Sequence, residues 1–106
     1  MSAFVDVLAK LDFSSEKMRK NNLFDSERMF CDVYCFEPGQ TQAAHAHAGS
    51  DKIYYVIDGT AEIQIGAETR TLRAGSAAHA APGEPHGVTN PGPGRLSLLV
   101  FMAPKP

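Results

Sequence analysis

Along residues 29–36, Met29, Cys31, Val33 and Cys35 alternate with Phe30, Asp32, Tyr34 and Phe36. A period of two sends successive side chains to opposite faces, so this run predicts a strand. The first set is the more uniformly apolar and is expected to face the core. The preceding KMRKNNLF, joined to it through Asp25-Ser26-Glu27, predicts a hairpin. Further on, IYYVI, AEIQI, TRTLR and LSLLVFM are rich in β-branched, aromatic or alternating residues. They are separated by turn formers at Pro38-Gly39, Ala48-Gly49-Ser50, Asp58-Gly59, Ile65-Gly66-Ala67, Ala74-Gly75, Pro82-Gly83 and Pro91-Gly92-Pro93-Gly94. Many short strands punctuated by Gly and Pro predict an all-β sandwich or barrel. Before them, Phe4, Val7, Leu8 and Leu11 have helical spacing, broken by Asp12, Ser14 and Ser15. That pattern predicts a short helix or irregular arm within residues 1–15.

Composition narrows the class. A chain of 106 residues without linker, low-complexity tract or repeat is read as one domain, 1–106. At that size it buries roughly two-thirds of its unfolded surface. Ten Lys+Arg against twelve Asp+Glu give a net charge of −2, which offers no basic footprint for nucleic acid or an anionic membrane. There is no apolar run of membrane-spanning length and no secretory pattern at MSAFVDVLAKLDF, so a cytoplasmic location is expected. Cys31 and Cys35 share a strand face at a separation of roughly 13 Å, beyond disulfide reach, and are expected to be reduced.

The candidate chemistry lies in the histidines. In HAHAGSDK, His45 and His47 alternate, so in an extended segment both imidazoles leave the same face and can converge on one ion. His86 follows a Pro/Gly turn in PGEPHGV, near the start of another strand. An HxH pair alone is weak evidence, and an isolated histidine is more often simply hydrogen-bonded at a surface.

The spacing resembles the cupin superfamily of small jelly-roll barrels. Gly39, five residues, His45-x-His47, four residues, Lys52, six residues, Gly59 follows the family's first motif, over residues 39–59. Gly75, Gly83, His86 and Asn90 follow the second, over residues 75–90, with Ala81 where the family has proline. The resemblance implies a double-stranded β-helix whose mouth holds His45, His47 and His86, often in a homodimer. It also implies a divalent transition metal: zinc, iron, manganese, nickel or copper, which imidazoles suit similarly. Family members include dioxygenases, isomerases and decarboxylases as well as binders or sensors of small molecules, so the fold does not name the reaction.

The departure is Lys52, where the family places a glutamate ligand. By parity with Tyr54 and Val56 it points into the barrel, where burial and a nearby cation both lower an ammonium's pKa. Four accounts stay open. Lys52 snorkels out or pairs with an acid, leaving a three-histidine site completed by water. Asp51 replaces the glutamate, through a bulge near Gly49 and Ser50. Lys52 anchors a substrate carboxylate or acts as a general acid or base. Or the site binds no metal.

Tyr54 is a candidate substrate contact beside Lys52, against the commoner reading of an aromatic that only packs. His79 shares a strand with Ala78 and Ala80; if those face the barrel, His79 faces out and is structural or interfacial. Alanines at 43, 44, 46, 48, 77, 78, 80 and 81 leave volume around the histidines. There is no Gly-x-Ser-x-Gly turn or phosphate-cradling Gly-rich loop. The expectation is a cupin barrel with metal on His45, His47 and His86, and Lys52 and Tyr54 as catalytic and substrate-binding residues. It would be a metal-dependent enzyme acting on a small organic substrate, carboxylates among the candidates, or alternatively a non-catalytic binding or sensing module. A homodimer is expected because Phe30, Tyr34, Phe36 and Tyr55, read as outward-facing, need covering.

Overall fold

The computed structural model describes residues 2–106. Nine strands follow in chain order: β1 (Arg19–Asp25), β2 (Phe30–Phe36), β3 (Thr41–His45), β4 (Asp51–Asp58), β5 (Thr60–Ile65), β6 (Glu68–Arg73), β7 (Ala77–Ala80), β8 (His86–Thr89) and β9 (Leu96–Ala103). They form two antiparallel sheets, ordered β1-β2-β9-β4-β7 and β3-β8-β5-β6. The β1–β2 hairpin pairs Arg19 with Cys35 and Asp25 with Phe30, with a bulge between Asn22 and Phe24. Gly59, at φ 90°, makes the turn from β4 to β5, and a Cβ there would collide with the Arg95 carbonyl oxygen. Only glycine meets both demands.

The interior between the sheets is built from Tyr34, Phe36, Tyr54, Val56, Ala61, Ile63, Val88, Leu96, Leu98 and Val100. Period-two alternation supplies them: Tyr54 and Val56 from β4 pair with Val100 and Leu98 of β9, which in turn pair with Asp32 and Tyr34 of β2. One expectation for β2 reverses. Tyr34 and Phe36 are the residues facing the main core, whereas Cys31, Val33 and Cys35 face outward into a second, smaller cluster. The strand is apolar on both faces because the N-terminal arm covers its outer side with Val5, Val7, Leu11 and Phe13. Met29, expected in the core, is exposed.

The arm is not a helix; its only regular turn is a three-residue 3-10 turn, Leu8–Lys10. The residues it packs against β2 are odd-numbered, the spacing of an extended segment, so the helical stripe is split: Val7 and Leu11 are covered, while Phe4 and Leu8 are left in solvent at 88% and 65% exposure. Packing against β2 overrides the local periodicity. Asn90, 1% exposed, ends the second histidine motif as a structural residue. Its side-chain amide donates to the carbonyls of Phe36 and Gly94, and its side-chain oxygen accepts from the Gly92 N–H.

Candidate metal centre

The two motifs meet through strand pairing. β3 and β8 are antiparallel neighbours, with His45 opposite His86. Gly87, next to His86, lets them approach closely: a Cβ there would sit 3.0 Å from the Gln42 carbonyl oxygen and 3.1 Å from the Ala44 Cα. Beyond β3, the Gly83 N–H donates to the His47 carbonyl at 2.8 Å, tying the loop that carries His47 to the loop that leads into His86. The imidazoles of His45, His47 and His86 consequently cluster, each offering a nitrogen within 4.8 Å of the others.

Their hydrogen bonds prepare them as ligands. His86 Nδ1 lies 3.0 Å from the Glu84 carbonyl oxygen, and His45 Nδ1 lies 3.0 Å from that of Ala43. A carbonyl oxygen only accepts, so Nδ1 carries the proton in both rings and the lone pair of the neutral imidazole is on Nε2. His86 Nε2 is buried without any hydrogen-bond partner. Burial lowers the pKa of His86 although its bond to Glu84 opposes this, and the charges of Lys52, His45 and His47 lower it further. Burial, then His45, Lys52 and Lys20, lowers that of His47. Both shifts favour the neutral form of His47 and His86, the form that binds metal. A preset tautomer, an orphaned buried nitrogen and three convergent donors fit a transition-metal ion.

Lys52 points inward, 2% exposed, opposite Ala80 of β7 and Met102 of β9. It neither snorkels out nor forms an ion pair among the described residues. Its ammonium instead lies 5.3 Å from the ring centroid of Tyr34 and 5.2 Å from that of Tyr54, in cation–π contact with both. Burial, reinforced by Lys20 and opposed by Asp32, lowers its pKa to about 8.

Asp51 is not brought to the histidines. With no bulge to reverse its parity it lies on the outer face of β4, exposed, where it binds His79 Nε2 at 2.7 Å. His79 is thus an exterior residue, while Ala78 and Ala80 face the interior. Of the other alanines, 43, 44, 46, 48 and 77 are exposed. Tyr54 is fully buried, its ring 6.1 Å from that of His86. Its hydroxyl proton is committed to the Gln42 side-chain oxygen at 3.1 Å, and burial raises its pKa far above the usual phenol range.

Several polar residues of this interior carried no signal in the sequence. Gln42, 8% exposed, has the wrong parity to accompany His45, but the register shift between the two restores it to the same side. Tyr34 and Asp32 were concealed by the reversed faces of β2. Burial pushes the Tyr34 phenol up to about 12, partly countered by the neighbouring Gln42 amide. Lys20, opposite Tyr34 in the β1–β2 register, holds its ammonium 5.3 Å from that ring.

Comparison with known proteins agrees with this architecture. The chain is 30% identical over 73 residues to an uncharacterized protein of Streptomyces coelicolor, covering 69% of each. Its structure is similar to that of TT1209 from Thermus thermophilus, with a TM-score of 0.96 and 42% identity over 99% of this chain and 100% of that one. It is similar also to an uncharacterized conserved protein with a double-stranded β-helix domain from Klebsiella pneumoniae, with a TM-score of 0.90 and 28% identity over 98% and 91%. A predicted oxalate decarboxylase from Thermotoga maritima shares the fold, with a TM-score of 0.79 and 20% identity over 83% and 81%. Residues 32–102 match the Cupin domain family. With a jelly-roll of two antiparallel sheets and both histidine motifs meeting across β3 and β8, this chain belongs to the cupin family.

Proposed function

We propose that the protein is a metal-dependent enzyme of the dioxygenase, isomerase or decarboxylase class, acting on a small organic substrate. The observation that carries this reading is the unpartnered, buried Nε2 of His86 within a cluster of three imidazoles. His45, His47 and His86 would hold a divalent ion of zinc, iron, manganese, nickel or copper. When bound, such an ion supplies Lewis-acid activation of a substrate oxygen or, if redox-active, electron transfer. The chain's own residues define the rest. No carboxylate joins the donor set, so the ion's charge is not reduced, and the ammonium of Lys52 adds to the positive field. The preferred ligand is therefore anionic, and Lys52 is its electrostatic anchor. Tyr54 supports Lys52 and Gln42 and is not a proton donor, because its proton is engaged.

A second reading is favoured by Lys52 itself. A buried cation in place of the family's glutamate suits a metal-free module that captures small anions without catalysis. Metal content of untagged protein by mass spectrometry, compared with a His45→Ala, His86→Ala double variant, separates the two. About one ion per wild-type chain, absent from the variant, supports the metal centre; no metal in either, even after supply, overturns it.

A homodimer is proposed on different residues from those first expected, since Tyr34 and Phe36 are interior. The outer face of β4 and β9 pairs Ile53 with Phe101 and Tyr55 with Leu99, and it leaves Tyr55 40% and Phe101 37% exposed. No helix is long and apolar enough to cross a membrane among the described residues. A cytoplasmic location is proposed from the two free cysteines, both buried.

A further inference from the structure

Lys52 is a primary amine enclosed in the barrel with no acid to neutralise it. It is 2% exposed and forms no ion pair among the described residues, with Asp32 included. Its neighbours across the sheet are Ala80 of β7, which has no side chain beyond Cβ, and Met102 of β9, which is unbranched and adaptable. The interior atoms sealed from solvent without a hydrogen-bond partner are the Gln42 amide nitrogen and His86 Nε2. Lys52 Nζ also lacks a hydrogen bond but is not one of them, so the nitrogen keeps a narrow contact with solvent. Only a small reagent fits such an opening.

The amine has a lone pair available where an ordinary lysine is fully protonated. Desolvation is the main cause, and the ammonium of Lys20, 5.3 Å from the Tyr34 ring centroid as Lys52 also is, reinforces it. A desolvated amine near a second cation is an arrangement that makes lysine nucleophilic. Carbon dioxide, which is small, linear and uncharged, suits both the burial and the aromatic walls. Position matters as much as reactivity. The Tyr54 ring is 5.2 Å from the amine and 6.1 Å from the His86 ring. The charge of Lys52 lowers the pKa values of His86 and His47, so the amine is within electrostatic reach of the cluster. A carboxyl group added at Nζ extends the side chain by one N–C and one C–O bond. It ends in two oxygens, on the residue that stands where the related motif has glutamate.

We infer that Lys52 is a carbon dioxide site, at which Nζ forms a carbamate whose carboxylate joins His45, His47 and His86 as the acidic donor that the cluster lacks. The amine lone pair forms the N–C bond, one C=O pair moves onto oxygen, and the proton lost from nitrogen passes to solvent. No oxidant or reductant is required. The unmodified ammonium is the anion anchor proposed above, and modification exchanges it for a metal-binding group. Carbamate formation depends on Lys52 alone, whereas its role as a donor rests on the three-histidine centre.

The experiment equilibrates the full chain, free of metal, with isotope-labelled bicarbonate and carbon dioxide at about pH 8, where Lys52 titrates. Carbon nuclear magnetic resonance reads the carbamate, and alkylation followed by peptide mass spectrometry locates it. The expected result is a carbamate trapped at Lys52 and absent from Lys52→Met. Zinc should strengthen the signal, and by reciprocity carbon dioxide should raise the zinc affinity of wild type about threefold or more while leaving that of Lys52→Met unchanged. Trapping places the modification in wild type itself, so the test does not depend on how the variant folds. The inference is overturned if nothing is trapped at Lys52 with or without zinc, or if Lys52→Met keeps the full signal. A carbamate at Lys52 with a zinc affinity indifferent to carbon dioxide overturns its role as a donor. A carbamate in a protein that takes up no zinc supports the modification and overturns the metal centre.

Discussion

The ammonium of Lys52 and the phenol ring of Tyr54, two residues apart on β4, face one another at 5.2 Å inside the barrel. Strand parity places both inward, and the rings of Tyr54 and Tyr34 take the place of a carboxylate partner. Cation–π contact offsets only part of the desolvation of an ammonium, which is why its pKa falls to about 8.

That balance fixes a pH dependence. The folded Lys52 releases its proton near pH 8, whereas in the unfolded chain it keeps it to 10.5. Between these values the unfolded state binds more protons, so the Lys52 contribution makes stability rise with pH. From about pH 9 the buried Cys31 and Cys35, and from about pH 10 the buried tyrosines, oppose and then reverse the slope, because burial raises their pKa values in the fold while unfolding lets them ionise at their ordinary values. Thermal midpoints of metal-free protein should rise from pH 7 to about 8.5, and Lys52→Met should be more stable at pH 7 and lack that rise. Parallel profiles for the two proteins would show that Lys52 is not desolvated.

Reinstating the family's acid should strengthen metal binding. Lys52→Glu replaces a like charge by an opposite one facing the histidines, and the affinity for zinc or manganese should rise about tenfold or more. Competition against a chromophoric chelator measures it. An unchanged constant would mean that the side chain at 52 does not sense the ion.

Asp51 provides the matching control. Its carboxylate belongs to an exposed pair with His79, so Asp51→Asn should leave the metal content unaltered and shift stability by less than about 1 kcal/mol. Loss of metal in this variant would restore Asp51 as a ligand.

Removing the Tyr54 hydroxyl orphans the Gln42 side-chain oxygen in the core. Tyr54→Phe should cost about 1–3 kcal/mol in urea unfolding while metal stoichiometry stays the same. A neutral substitution would show that Gln42 finds another donor.

The proposed dimer can be tested on the outer face alone. Tyr55→Glu with Phe101→Glu should convert the species seen by light scattering to a monomer without changing the circular dichroism. A wild-type protein already monomeric at high concentration would remove the proposal.

What could be read from the sequence followed where local pattern and tertiary environment agree. β4 and β9 alternate cleanly because one face meets the core, and the spacing of Gly39, His45, His47, Gly75, His86 and Asn90 carries the fold without reference to any packing partner. The inward placement of Lys52 followed from parity with Tyr54, and the outward placement of His79 from its neighbours Ala78 and Ala80. β2 was read the wrong way round because both its faces are buried, and alternation cannot rank two apolar faces when a distant arm covers one of them. The same arm mimicked a helix because its apolar residues fit two periods, and only contact with β2 chooses between them. Gln42 was hidden by a register shift that depends on Gly87 and β8, and so is written in strand pairing and not in the chain around it.

The Gly83 to His47 tie has a thermodynamic consequence. It joins the two ligand-bearing loops through backbone alone, within a barrel whose core lies elsewhere, so their ordering belongs to folding and not to ion capture. In small zinc modules the metal and the fold arrive together. Here the two events are separable: an ion held by the histidines would enter a scaffold already in shape, and its replacement by another would leave that shape intact.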